Sequence, residues 1–112
     1  MKISILENNL EFINDERYSS IFKLIINAVR DYPIFNMDDT DVFFSEVKKK
    51  IGSEEITLSK LESYIFHNSN KGDENNIWII NSLSSLADAF DLMNLFKIEF
   101  TEVLDMINSI EV

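Results

Sequence analysis

The chain contains no cysteine, two glycines, one proline and one histidine among its 112 residues. Without cysteine it can form neither a disulfide nor a thiolate metal site, so its stability must come from packing. A structural zinc site needs about four cysteine or histidine ligands, and His67 alone is available. The shortage of glycine excludes glycine-rich phosphate loops, and the shortage of helix breakers predicts long helices.

Positive charge is also scarce. The chain has 20 acidic and 10 basic residues, which gives a net charge of −10. From Asp73 to Val112 there are 8 acidic residues and one basic residue, Lys97. This charge argues against nucleic acid as a partner, and the one basic block, Lys48–Lys50, suits the negative end of a helix. The same field attracts cationic surfaces and speeds their encounter.

Long apolar runs are missing as well. No segment approaches the roughly 18 apolar residues that cross a bilayer. The stretch before Glu7 is too short to be the apolar region of a signal peptide. Anionic lipids would repel the chain. The sequence therefore predicts a cytoplasmic protein without a membrane partner.

The spacing of apolar residues predicts an all-α fold, a compact bundle of five or six helices in a single domain, residues 1–112. The clearest helix is predicted from Asp15 to Arg30, before Pro33. Others are predicted over Thr40–Ile51, after Thr57 and from Asn75 onward. Within the core we expect Phe22, Ile25 and Phe43 to be buried.

Two regions leave alternatives open. Residues 1–13 fit a helix or a short strand, and we favour the helix because no second strand is evident to pair with it. Near residues 97–101, a break with Thr101 capping a last helix competes with a single bent helix.

The chemistry of catalysis finds little support in this sequence. A Ser-His-acid triad would need His67, which lies near a predicted helix C-terminus, where a cation is favoured for structural reasons. The acids near Asp38 lack the glycine and the bidentate glutamate of a calcium loop. We therefore expect no enzyme activity, no metal and no cofactor.

The densest acidic segment runs from Asp31 to Asp41 and alternates acids with aromatic and apolar residues. Apolar anchors ringed by carboxylates are typical of a binding hot spot for a basic protein. The candidate partner-binding residues are Tyr32, Phe35, Asp38, Asp39 and Asp41. In the alternative, the apolar residues enter the core and the acids cap the next helix.

A second acidic surface is predicted on the C-terminal half, with Asp91, Glu102 and Asp105 as further partner-binding candidates. The alternative is a solvated face opposite the apolar stripe of the last helices.

Short, acidic, cysteine-free and without catalytic residues, the chain is similar in general make-up to bacterial immunity proteins that cover the cationic cleft of nuclease toxins. No motif accompanies this likeness, so no residue is assigned from it. The sequence predicts a monomer that inhibits a basic toxin as part of a heterodimer. The alternatives are a phage-type nucleic-acid mimic that inhibits a host nuclease, and a non-catalytic structural or adaptor subunit that associates through the apolar segment Ile77–Ile80.

Overall fold

The computed structural model describes residues 1–34 and 37–110, and no strand occurs within these ranges. Six α-helices follow one another there, with a short 3₁₀ turn after the first. Their bounds are Ile3–Asn9 (α1), Glu16–Asp31 (α2), Thr40–Ile51 (α3), Leu58–Asn68 (α4), Glu74–Phe96 (α5) and Phe100–Ser109 (α6). The predicted all-α class is confirmed. None of these helices combines the length and the apolar character that crossing a membrane requires.

Local side-chain chemistry sets where most of the helices begin. A side-chain oxygen of the preceding residue accepts a hydrogen bond from an amide of the first turn, which satisfies an otherwise unpaired donor. The caps of this kind are Asp15 for α2, Asp39 for α3, Thr57 for α4 and Asp73 for α5. At the other end of α3, Gly52 takes the left-handed conformation with φ 68°. The predicted bounds Thr40–Ile51 are therefore confirmed.

The end of α5 uses the same left-handed conformation without a glycine. Lys97 has φ 58° and is the one non-glycine residue with positive φ in the described ranges. The Ile98 amide donates to the Met93 carbonyl at 2.8 Å, and the Ile98 side chain is buried. This backbone reversal with an apolar contact ends the helix.

The start of α6 follows from that reversal. The helix begins at Phe100, and Glu99 precedes it without a side-chain cap. The predicted break between two helices is confirmed, but the predicted cap is wrong. Thr101 lies inside the first turn of α6, because the turn at Lys97 fixes the chain direction before Thr101 is reached.

α2 and α5 form the centre of the bundle. The Ser82 hydroxyl of α5 donates to the Ala28 carbonyl of α2 at 2.6 Å inside the interface, so this buried hydroxyl is satisfied. Phe22, Ile25 and Phe43 are each 0% exposed, as predicted. α4 packs on α5, and α1 packs on α2.

The first residues are tied to the segment before α3. The predicted helix near the N-terminus is confirmed as α1. Just before it, Lys2 and Asp39 form an isolated antiparallel bridge, and the Thr40 amide donates to the Met1 carbonyl at 2.8 Å. These bonds fix the acidic residues before α3 against the start of the chain.

Candidate protein-binding surface

Asp39, predicted to face a partner, holds the start of α3. Its Oδ1 accepts hydrogen bonds from the Asp41 amide at 2.8 Å and the Val42 amide at 3.4 Å. Its Oδ2 lies 3.4 Å from the Met1 amino nitrogen. Partial burial opposes the charged carboxylate, but the two amides and the amino group outweigh it and hold the pKa of Asp39 below its usual value. Asp39 therefore acts as a helix cap.

Asp38 and Asp41 are the exposed acids of this segment. The Asp41 carboxylate is 78% exposed and lies 3.7 Å from the Met1 amino nitrogen. The Asp38 backbone carbonyl accepts a hydrogen bond from the Ile3 amide, which leaves its side chain at the surface. Both carboxylates are accessible to a partner.

The aromatic half of the predicted patch is placed differently. Tyr32 is 5% exposed and packs edge-on against Phe43, with 5.9 Å between ring centroids. Burial, with smaller contributions from Glu46 and Tyr64, raises the pKa of Tyr32 to about 12. Tyr32 is therefore corrected from a surface anchor to a core residue, because its ring fills the space beside Phe43. Phe35 lies outside the described residues.

The second predicted surface is exposed. Asp91 lies on α5, and Glu102 and Asp105 lie three residues apart on one side of α6. The Tyr18 hydroxyl of α2 donates to Glu102 Oε2 at 3.4 Å. Burial, followed by the Glu102 charge, raises the pKa of Tyr18. Tyr18 therefore stays a neutral donor that anchors α6 to α2.

The acidic residues on α5 and α6 and directly before these helices are exposed and unpaired. Each is exposed, and none forms an ion pair with another described residue. They are Asp73, Glu74, Asp88, Asp91, Glu99, Glu102 and Asp105. Elsewhere, Arg17, Arg30 and Lys49 do pair with nearby carboxylates. The C-terminal half therefore presents negative charge that its own cations leave uncompensated.

A surface groove of about 430 Å³ lies between the end of α2 and the start of α5. It is lined by Arg30, Asp31, Tyr32, Pro33, Glu74, Asn75 and Trp78. Trp78 is 45% exposed, and its neighbour Ile77 is 51% exposed. The groove is thus lined by an accessible aromatic residue and by two acidic residues, Asp31 and Glu74, none of which was among the predicted partner-binding residues.

Helix spacing and the proline build this groove. Glu74 and Trp78 are four residues apart and share one face of α5. Ser82, one further turn along, bonds to Ala28 in α2. Trp78 therefore lies beside the last turn of α2, and the two helices run antiparallel here. Pro33 prevents α2 from continuing, and it lines the groove.

The residues of the groove come from two segments that the sequence analysis treated separately. The residues of α2 belonged to the acidic segment, whereas Trp78 belonged to the apolar segment assigned to a subunit interface. One signal was available: apolar residues on all sides of a helix start indicate deep burial or a partner. The pairing itself depends on how α2 packs on α5, which no local pattern reports.

Across residues 1–34 and 37–110, no group of three or more histidine or acidic side chains is placed to hold a metal ion. His67 lies exposed near the end of α4. The centroid of its ring is 5.3 Å from that of the Phe66 ring.

Comparisons with protein-family models, with curated proteins and with solved structures give no significant match.

Proposed function

We propose that this protein is a non-catalytic inhibitor that binds and neutralises a basic protein, most simply a bacterial toxin of the nuclease type. The observation that carries the proposal is the set of seven exposed, unpaired carboxylates from Asp73 to Asp105. They lie on the helices α5 and α6 or directly before them, so their backbone positions are set by the fold.

A nuclease must hold nucleic acid in a positive cleft. A rigid surface of uncompensated carboxylates is attracted by that field and competes with the nucleic acid for it. Complementary charge raises the association rate, and apolar contacts at the centre of the interface slow dissociation.

The experiment uses the product of the gene adjacent to this one. Its nuclease activity and its toxicity to cells are measured with and without a stoichiometric amount of this protein. We expect both to be suppressed, and we expect the double charge reversal Glu102→Lys with Asp105→Lys to weaken suppression. An adjacent gene product that has no nuclease activity, or a nuclease that keeps its full activity in the presence of this protein, would reject the proposal.

A structural or adaptor subunit is the second candidate, favoured by the exposure of Ile77 and Trp78 at the start of α5. Such a subunit would use this apolar surface to associate with its own copies or with a larger assembly. Molar mass in solution separates the two: a stable homodimer supports the subunit, and a monomer supports the inhibitor.

A further inference from the structure

We propose that the groove between α2 and α5 receives a lysine or arginine side chain of the basic partner, stacked on Trp78 and flanked by the carboxylates of Asp31 and Glu74. This inference rests on the proposed function and names the contact through which it acts. It assigns the centre of the interface to the start of α5 instead of the segment before α3.

The groove offers each component that such a side chain needs. A cation over an indole face is attracted by the negative ring quadrupole, and tryptophan is the strongest aromatic partner for it. Trp78 is about half exposed, so one part of the ring is accessible while the rest is held by the bundle. Glu74 and Asp31 line the space from different helices, α5 and α2. Carboxylates on both sides suit the several N–H donors of a guanidinium or an ammonium group.

Arg30 also lines the groove, but it is paired. Its guanidinium contacts the Glu7 carboxylate of α1, which compensates the one positive charge in the lining. Because the Arg30–Glu7 pair has no net charge, the negative charges of Asp31 and Glu74 determine the net charge of the groove. It attracts cations, and an anionic ligand would be repelled.

The position of Asp31 is a second, independent observation. Asp31 lies in the last turn of α2, at the negative end of the helix dipole, where a carboxylate is unfavourable for the helix. No described residue pairs with it. The Asp31 carboxylate and the negative end of the α2 dipole repel each other. A bound cation would compensate both of these negative charges.

Charge also decides between possible occupants. A second copy of this chain would bring another net charge of −10 to the interface, and like charges at an interface oppose association. A basic side chain flanked by apolar residues is complementary to both the carboxylates and the exposed indole.

The test uses two amidated pentapeptides of alternating leucine with arginine or with citrulline, its neutral isostere. Trp78 is the sole tryptophan of the chain, so its fluorescence reports directly on the groove, and calorimetry gives the affinity. We expect the arginine peptide to change the emission and the citrulline peptide to leave it unchanged. Asp31→Asn, Glu74→Gln and Trp78→Ala should each weaken binding by about five- to tenfold.

Glu62→Gln is the matched control, because Glu62 is exposed on α4 and lies outside the groove lining. It removes the same charge and should change the affinity less than twofold. A loss equal to that of the groove variants would mean diffuse attraction to an acidic protein and would overturn the inference. Thermal melts should also show that Asp31→Asn folds at least as stably as the parent chain, since it removes an acid from a helix C-terminus.

The neighbouring nuclease distinguishes the two proposals. If it is inhibited by the parent protein and by Asp31→Asn and Glu74→Gln alike, but not by the Glu102→Lys and Asp105→Lys double variant, the inhibitor function stands and the groove is rejected. If the parent protein fails to inhibit it, the inhibitor function is rejected, and the peptide measurements still decide whether the groove binds cations.

Discussion

At the scale of single residues, neighbouring aspartates before α3 have different roles. Asp39 accepts two amide hydrogen bonds at the helix start, whereas the Asp38 side chain lies at the surface. We expect Asp39→Ala to lower the free energy of unfolding by about 1 kcal/mol, because an unpaired amide replaces the cap. Urea titration measures this change, and Asp38→Ala is the control that should leave stability unchanged. Equal effects of the two substitutions would contradict the cap.

Tyr32 shows what a residue pattern leaves undetermined. The proline after it ends α2, which local stereochemistry predicts. Whether its ring faces solvent depends on Phe43 of α3, which meets it edge-on. An aromatic residue among acids therefore suggested a surface anchor, and a contact between two helices decided otherwise.

Because the Tyr32 phenol is buried, the free energy of unfolding should fall at alkaline pH. The pKa of Tyr32 rises from 10.0 to about 12 in the folded protein, so the folded state favours the neutral phenol. Its stabilising contribution is complete below pH 10 and is lost as pH rises towards 12. We expect this loss to be on the order of 2 kcal/mol and Tyr32→Phe to remove it, as measured by urea titration at pH 9 and pH 12. Tyr18→Phe is the comparison: the pKa of Tyr18 is also raised, but its ring is less buried than that of Tyr32, so this substitution should remove a smaller part of the alkaline loss.

At the scale of elements, the predictable helix ends are those with a local chemical signal. α3 begins after a capping aspartate and ends at a glycine, and both bounds could be predicted from the sequence. The junction of α5 and α6 was predicted in place but with the wrong cap. A lysine adopts the left-handed turn there, and lysine gives no signal for that conformation.

The two left-handed positions yield opposite expectations. Lys97→Gly should raise the free energy of unfolding by about 0.5–1 kcal/mol, because glycine adopts positive φ without steric cost. Gly52→Ala should lower it by about 1 kcal/mol through the backbone alone, since an added Cβ would meet no atom within 4 Å. Chemical denaturation measures both. Lys97→Ala separates loss of charge from relief of the backbone, and a gain as large as that of Lys97→Gly would contradict the conformational explanation.

At the scale of the whole molecule, charge is uneven. Five of the ten bases lie between Lys48 and Lys71, whereas the chain after Asp73 holds Lys97 alone. This asymmetry could be predicted from the sequence because charge is a property of composition. The groove could not, because Asp31 and Trp78 are distant in the chain and meet only through the packing of α2 on α5. The sequence thus predicted the uneven charge of the molecule but not the groove between α2 and α5.

The net charge of −10 also predicts opposite effects of salt on folding and on binding. Raising NaCl from about 0.01 M to about 0.15 M shortens the screening length from roughly 30 Å to roughly 8 Å. Screening weakens repulsion among the carboxylates, so the melting temperature of the free protein should rise by a few degrees. It also weakens attraction to a basic partner, so association should slow by about tenfold. Calorimetry and stopped-flow fluorescence of Trp78 measure the two effects.

The control for both salt effects is pH. Near the sequence pI of about 4.4 the net charge vanishes, and with it the long-range repulsion and attraction that salt screens. Both responses to NaCl should therefore be much smaller there than at pH 7. A melting temperature that falls with salt at pH 7 would mean that attractive ion pairs, such as Arg17 with Asp15 and Arg30 with Glu7, outweigh the repulsion. The excess carboxylates would then carry no net cost for folding.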